Sequence, residues 1–347
     1  MRLKTLTTAV LLSTAVALPV AAQSYSARRH GDVIQLEDSK NHTAVSVALT
    51  VGNMAFEMKV NGANVLWWPY SSVEEFKSKP GMSGIPFLGP WANRLDEQAF
   101  YANGTRYPFD MALGNVRGAI PIHGFLTTNP HWQLVEAKAD ARSAWVTSRL
   151  EFYKQPAWMK QFPFAHTIDM TYRLHNGELE VATTIHNLSA EAMPVAIGFH
   201  PYYQIPDVPR DAWTGHIPAR RRVVADNRLI PTGEYRAMDI PDQFPLRGRT
   251  LDDGFIDLQR DAEGRAVFSI VSGDKKVETM FGPKYPVAVV WEPNTQAGQP
   301  QPFICFEPMT GVTSAVNLAH EGKYPDLQMI PPGGKWSESF WIRASGI

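Results

Sequence analysis

The sequence predicts an all-β fold, a single large antiparallel β-sandwich, from three observations. Short apolar runs with period-two alternation recur along the chain, as in Ala44-Val45-Ser46-Val47-Ala48-Leu49, Leu179-Glu180-Val181-Ala182-Thr183-Thr184-Ile185 and Ala266-Val267-Phe268-Ser269-Ile270-Val271. That period is the mark of strands with one buried face. Turn signals separate the runs: Asn61-Gly62, Asn103-Gly104, Asn176-Gly177, Glu263-Gly264 and Ser272-Gly273-Asp274. Asn-Gly suits a two-residue hairpin because both residues tolerate positive φ. Helix-period patterns are scarce; the one helix the sequence predicts is short, Val73-Glu74-Glu75-Phe76-Lys77, stopped by Lys79-Pro80-Gly81. The chain also carries 25 Gly and 27 Pro, and each proline marks a loop, an edge or a strand end.

With 347 residues, 44% hydrophobic and 19% charged, the chain is long enough to bury one large core. No internal repeat of fixed period is present, which argues against a propeller or β-helix. The polar stretch Thr295 to Pro302 lies between two runs of the same strand pattern, so it reads as a loop inside one domain. The formal net charge of −1 leaves no basic excess for nucleic acid or an anionic membrane surface.

The N-terminus has the pattern of a secretory leader. Arg2 and Lys4 form a positive start, Leu6 to Val20 is uncharged, and Val20-Ala21-Ala22 fits the small-residue cleavage rule. The sequence thus divides into a signal peptide, 1–22, and a single domain, 23–347, in the periplasm or outside the cell. Loss of Arg2 and Lys4 takes the net charge from −1 to −3. Cys305 is the only cysteine, so the exported domain relies on its core and not on an internal disulfide. Its setting in Phe303-Ile304-Cys305-Phe306 marks a small buried hydrophobe.

Two apolar runs end on groups that exchange protons. Phe303-Ile304-Cys305-Phe306 leads into Glu307-Pro308, and Ala196-Ile197-Gly198-Phe199 leads into His200-Pro201. An ionised Glu is costly to bury unless it is paired or has work to do. In both places the proline reads as the end of a strand. A base and an acid on two strand ends, with Tyr202, Tyr203 and many Trp nearby to offer apolar faces, suit proton transfer on an uncharged ring. Two further stretches add polar groups. In Gly89-Pro90-Trp91-Ala92-Asn93-Arg94, Arg94 reads either as a surface arginine after a turn or as a fork of donors for hydroxyls or a carboxylate. In Ile120-Pro121-Ile122-His123-Gly124-Phe125, His123 reads as a core histidine or as a donor into a pocket, with Gly124 admitting a ligand close to the backbone. Leu251-Asp252-Asp253-Gly254-Phe255 as a bare pattern is a turn. No metal or phosphate-loop motif is present in the sequence.

Taken in order, Ala92-Asn93-Arg94, His123-Gly124, His200-Pro201-Tyr202, Asp252 with Phe255, and Glu307-Pro308 resemble the aldose 1-epimerase (galactose mutarotase) family, from about Val33 to about Ile342. The resemblance implies a β-supersandwich, an isomerase that needs no cofactor or metal, and a free sugar as the small-molecule partner of a monomer or homodimer. It implies Glu307 as general base, His200 as general acid, and Arg94, His123 and Asp252, with Asn93 beside them, as the groups that hold sugar hydroxyls. Asp252 takes that role over Asp253 because it lies three residues before Phe255. Two positions depart from the usual mutarotase pattern: Phe125 follows Gly124 where a second Gly is common, and Phe199 precedes His200 where Asn is common. Phe199-His200-Pro201-Tyr202 is closer to a divergent bacterial branch.

The chemistry needs a proton removed from the C1 hydroxyl and one given to the ring oxygen, which calls for Glu307 ionised and His200 protonated, each favoured by the field of the other. Three other readings compete. Glycoside hydrolysis would pair Glu307 with a second carboxylate such as Asp252. A carbohydrate-binding module would use the pocket without proton transfer. A hexose-6-phosphate epimerase would need a basic pocket, for which Arg220-Arg221-Arg222 is the candidate, although that run reads as a solvated loop.

Overall fold

The computed structural model describes residues 24–347. The expected signal peptide, 1–22, and the expected cleavage point near Gln23 lie outside the described residues. Nine strands form one sheet, in the order Gln133–Ala139, Ala144–Glu151, His166–His175, Glu178–Asn187, Lys335–Ser345, Lys275–Phe281, Ala266–Ser272, Thr214–His216 and Phe244–Pro245. A second sheet runs Pro231–Ala237, Ala219–Ala225, Leu251–Leu258, Val287–Glu292, Ile304–Met309, Gly198–Phe199 and Phe87–Leu88, and Tyr202–Tyr203 also pairs with Ile304–Met309. The named pairs in both are antiparallel. A five-stranded sheet from Tyr25 to Asn64 packs beside the first strands of the nine-stranded one.

The two large sheets face each other through aromatic side chains. Phe268 meets Phe306 with ring centroids 5.4 Å apart, and Phe199 meets Phe340 at 4.9 Å. Successive side chains of a strand point to opposite faces. Phe306 and Phe199 therefore fill the sandwich core, while their neighbours Glu307 and His200 emerge on the other face of the same sheet. This alternation places Glu307 and His200 together. The period-two pattern that predicted the strands also predicts which residues leave the core.

The turns follow their sequence signals. Asn61, Asn103 and Asn176 each sit at φ 49°, and Gly62, Gly104 and Gly177 follow at 86°, 77° and 71°, the positive-φ pair a hairpin of this kind demands. The helix at Val73–Ser78 is present, and the Ser72 hydroxyl caps it by accepting the Glu75 N–H at 3.1 Å.

Four local expectations are corrected. Helices also form at Pro156–Gln161 and Ala315–His320; each is six residues, too short to show a 3.6-residue period. Asp252, Asp253 and Gly254 lie within the strand Leu251–Leu258, not in a turn. Arg220 to Arg222 lie in the strand Ala219–Ala225, not in a loop. Pro308 does not end its strand, which continues to Met309 with Pro308 opposite Ala288. Two residues on, the Thr310 N–H points to Ile197 O, so the Pro308 nitrogen points the same way. There the neighbouring chain pairs only at Gly198 and again at Tyr202, and the ladder between them needs no donor. Among the described residues no helix is long and apolar enough to cross a membrane.

Candidate active site

The register of the eight-stranded sheet sets out the floor of the site. Asp252 pairs with Trp291 and Trp291 with Cys305; one step along, Gly254 pairs with Val289 and Val289 with Glu307. Residues directly opposite in an antiparallel ladder share a face, so Asp252, Trp291 and Glu307 emerge together. His200 arrives from the neighbouring Gly198–Phe199 segment, held by its own N–H donating to Pro86 O at 3.0 Å. Its Nε2 lies 3.2 Å from Glu307 Oε1. Tyr202 stacks on the His200 ring (centroids 4.8 Å apart, planes 13° apart), and Trp291 meets it edge-on at 5.4 Å. The imidazole is thereby fixed on two sides. His200 is 6% exposed and Glu307 1%.

Against His200, with the His123 and His200 ring centroids 5.5 Å apart, stands a corner built by two left-handed residues, Asn93 at φ 56° and His123 at φ 59°. They bond reciprocally: the His123 N–H donates to Asn93 O at 2.9 Å, and the Asn93 N–H donates to His123 Nδ1 at 3.1 Å. Since Nδ1 accepts, a neutral His123 carries its proton on Nε2 and keeps that donor for the cavity. The Asn93 side-chain oxygen accepts from the Arg94 N–H at 2.9 Å and from Arg94 Nη1 at 3.0 Å. Arg94 Nη2 in turn lies 3.5 Å from Asp252 Oδ2. Arg94 is buried, not a surface arginine, and Asn93 works by holding Arg94 and His123 instead of offering that oxygen to a sugar. Gly124 serves the backbone and not a ligand. It sits at φ 56°, where a Cβ would come within 2.0 Å of Gly89 O, and Phe125 N–H donates to that same carbonyl at 2.9 Å.

Burial dominates the protonation of the site. It pushes the Glu307 carboxyl well above the usual range, with Asp252 adding to the shift and Arg94 opposing it. It pulls the His200 imidazole down to about 3. His123 is also held well below its ordinary value, by burial first and then by the cationic form of His200, by Arg94 and by Arg117. Asp252 is raised by burial against the pull of Arg94 and Arg117. Burial thus works against the standing Glu307 carboxylate and His200 imidazolium that the sequence predicts. Loss of water around each group favours its uncharged form, a neutral carboxyl beside a neutral imidazole.

All six residues singled out in the sequence, Asn93, Arg94, His123, His200, Asp252 and Glu307, line one cavity of about 240 Å³. Tyr202 is in its wall, whereas Tyr203 is buried in the core. Four lining residues were given no role by sequence reasoning: Met82, Arg117, Ile122 and Trp291. Trp291 carries a usable signal, because Val289-Val290-Trp291-Glu292-Pro293 repeats the pattern of an apolar run, a carboxylate and a proline. Alternation then sends Glu292 the other way, fully buried with Arg210 Nη1 3.7 Å from its Oε1. Arg117 stands on the short pair Val116–Arg117 and Ile120–Pro121, where the sequence shows no motif. Of the arginine run, Arg221 pairs with Asp257, and Arg222 pairs with Asp239 and with Asp253, the latter at 2.6 Å.

Residues 32–343 match the aldose 1-epimerase family, a family of isomerases, and the chain belongs to it. Solved structures share the fold. A galactose mutarotase-like protein of Clostridium acetobutylicum is 21% identical at a TM-score of 0.80, over 93% of this chain and 98% of that one. A protein of Synechocystis is 25% identical at a TM-score of 0.71, over 91% of this chain and 96% of that one. A galactose 1-epimerase of Lactobacillus acidophilus is 16% identical at a TM-score of 0.71, over 92% and 98%.

Proposed function

We propose that the protein is an exported aldose 1-epimerase that interconverts the α and β anomers of a free, uncharged aldose. The observation that carries this reading is the 3.2 Å contact between His200 Nε2 and Glu307 Oε1. Both oxygens that exchange protons in ring opening, the C1 hydroxyl and the ring oxygen, are bonded to C1. A donor and an acceptor that serve them must themselves be neighbours, and these are. Glu307 Oε2 has no hydrogen-bond partner within the protein. A C1 hydroxyl that donates to it favours the carboxylate, as Arg94 already does, and the proton crosses to His200. Glu307 then takes the hydroxyl proton while His200 protonates the ring oxygen and the C1–O5 bond breaks. The open aldehyde turns about C1–C2, and the reverse transfers close the ring on the other face. The pair begins and ends with one proton.

Arg94, Asp252 and His123 Nε2–H hold ring hydroxyls, and Trp291 offers an apolar face. The paired state of Arg221 and Arg222 weakens the phosphosugar alternative, and His200 against Glu307 weakens the hydrolase alternative. The leader pattern of residues 1–22 supports an exported site of action, in the periplasm or outside the cell. Polarimetry on freshly dissolved α-anomers of several aldoses tests the proposal. Anomerisation no faster than in buffer, for a protein that still binds one of those sugars, leaves a binding module.

A further inference from the structure

We infer that Arg210 is a positioning residue for the site: from behind the sheet it holds in place the two sugar-facing side chains Asp252 and Trp291. This rests on the reading of the cavity as a sugar site and deepens it with a residue outside the cavity. Arg210 is 3% exposed and takes no part in the cavity lining. It opens the short turn Arg210–Ala212, on the chain that leads away from His200 and Tyr202–Tyr203. Its Nη1 donates to Pro293 O at 3.0 Å, and its Nη2 donates to Asn294 Oδ1 at 3.1 Å and to Arg249 O at 3.4 Å. The first two acceptors follow Trp291 and Glu292 in the chain, and the third precedes Leu251 and Asp252.

These are the two chains that pair at the floor of the site. Their ladder ends with Leu251 opposite Glu292, and Asp252 opposite Trp291 is the pair next to that end. A ladder opens most easily at its ends. The planar guanidinium takes over where the ladder stops, since its Nη2 bridges Arg249 O on one chain and Asn294 Oδ1 on the other. Pro293 O also accepts the Gln301 N–H at 3.2 Å, at the base of the loop that runs on to Ile304–Met309 and Glu307. The neighbouring acid does not account for the arginine. Glu292 Oε1 stands 3.7 Å from Nη1, beyond hydrogen-bond reach, and neither Glu292 oxygen has a hydrogen-bond partner within the protein. Burial raises its carboxyl to about 8, against the pull of Arg210 and Arg249 and with Asp211 adding to the rise. Near neutrality the buried cation is therefore satisfied by oxygens of the two chain ends, and its removal frees both.

The test separates positioning from folding. Arg210→Lys keeps the charge but cannot span the acceptors of two chains. With glucose, galactose and further aldoses, mutarotation gives kcat and KM, and calorimetry gives Kd. Asp252 and Trp291 meet the ring before and during the reaction, so KM and Kd should both rise about tenfold with kcat little changed. An arginine needed only for folding would lower kcat per mole of protein, as the folded fraction falls, at unchanged KM and Kd; that result overturns the inference. Asn294→Ala deletes one acceptor at an exposed loop position and decides the matter if the lysine variant does not fold. It should raise KM and Kd about threefold, and no rise overturns the inference. Glu292→Gln keeps the size of the buried side chain and should change neither constant. A rise equal to that of Arg210→Lys would assign the effect to disturbed packing and overturn the inference. Weaker binding by Arg210→Lys, in a protein whose wild type binds an aldose and anomerises none, upholds the inference and overturns the epimerase reading. A wild type that binds none of the aldoses overturns both.

Discussion

His200 Nε2 lies 3.2 Å from Glu307 Oε1, and burial drives the two groups in opposite directions, the imidazole down to about 3 and the carboxyl well above its usual range. Groups coupled this closely titrate as a pair. A second proton enters only where His200 protonates beside a neutral carboxyl, far below pH 6.5. The single proton leaves only above the raised value of Glu307. Between those limits the pair holds one donor and one acceptor.

The pH profile should therefore be broad. With ordinary values, the state of one carboxylate and one imidazolium would be confined between about pH 4.3 and 6.5. Here the plateau of kcat/KM should be wider on both sides, with its acid limb well below pH 6.5 and its alkaline limb set by the raised Glu307 carboxyl, well above the ordinary carboxylate range. Initial rates of mutarotation, corrected for the buffer reaction, check this. A narrow bell confined to about pH 4.3–6.5 would show that burial does not control the pair.

Removing either member should stop the exchange. Glu307→Gln keeps the shape and hydrogen bonding of the side chain but accepts no proton as a base at neutral pH. It should lower kcat by about 10²–10⁴-fold with a small change in sugar affinity. His200→Asn should do the same. Because one proton is shared, the double variant should be about as slow as either single one, since residues acting as a unit are not additive. Losses that multiply would mean two independent groups.

Asn93→Gly isolates the role of the corner. Glycine keeps the φ of 56° and the N–H that donates to His123, and deletes the oxygen that holds Arg94. A lost hydrogen bond to a charged group costs about 1.5–3 kcal/mol. If Arg94 binds ring hydroxyls in both ground and transition states, KM should rise roughly tenfold or more with kcat little changed. A fall in kcat at constant KM would place Arg94 in the proton-transfer step instead.

The sequence revealed what depends on alternation and turn chemistry. Leu179 to Ile185 and Ala266 to Val271 became strands, Asn-Gly pairs became positive-φ turns, and the apolar runs before His200 and Glu307 placed both on the outer face of one sheet. It hid what depends on neighbours distant in the chain. Pro308 fits inside a strand because the adjoining ladder is interrupted at His200-Pro201, a fact of pairing and not of local pattern. Trp291 joins the site because it registers with Asp252, and Arg117 because a short hairpin folds over the cavity wall. The direction of the Glu307 and His200 shifts depends on how deeply the site sinks into the sheet, which residue order does not state.

A last prediction concerns stability and uses a histidine outside the site. His166 is buried, its Nδ1 lies 2.7 Å from Phe164 O, and its ring stacks on Phe152 with centroids 4.2 Å apart. Burial lowers its pKa to about 4, against a small upward pull from the Phe164 carbonyl. The unfolded chain protonates this group near pH 6.5 and the folded protein near 4, so between those values the unfolded state binds more protons. Stability should then fall as the pH drops through this window. Taking His166 alone from pH 7 to about pH 4.5, the loss is roughly 2–3 kcal/mol. His166→Phe keeps a ring against Phe152 and cannot titrate. It should be less stable at pH 7 by about 1 kcal/mol, for the unmatched Phe164 carbonyl, yet lose less on acidification. His123 and His200 still contribute a decline of the same sign. Urea unfolding of both proteins at the two pH values measures the difference, and equal acid losses in the two would exclude His166 as a source of acid instability.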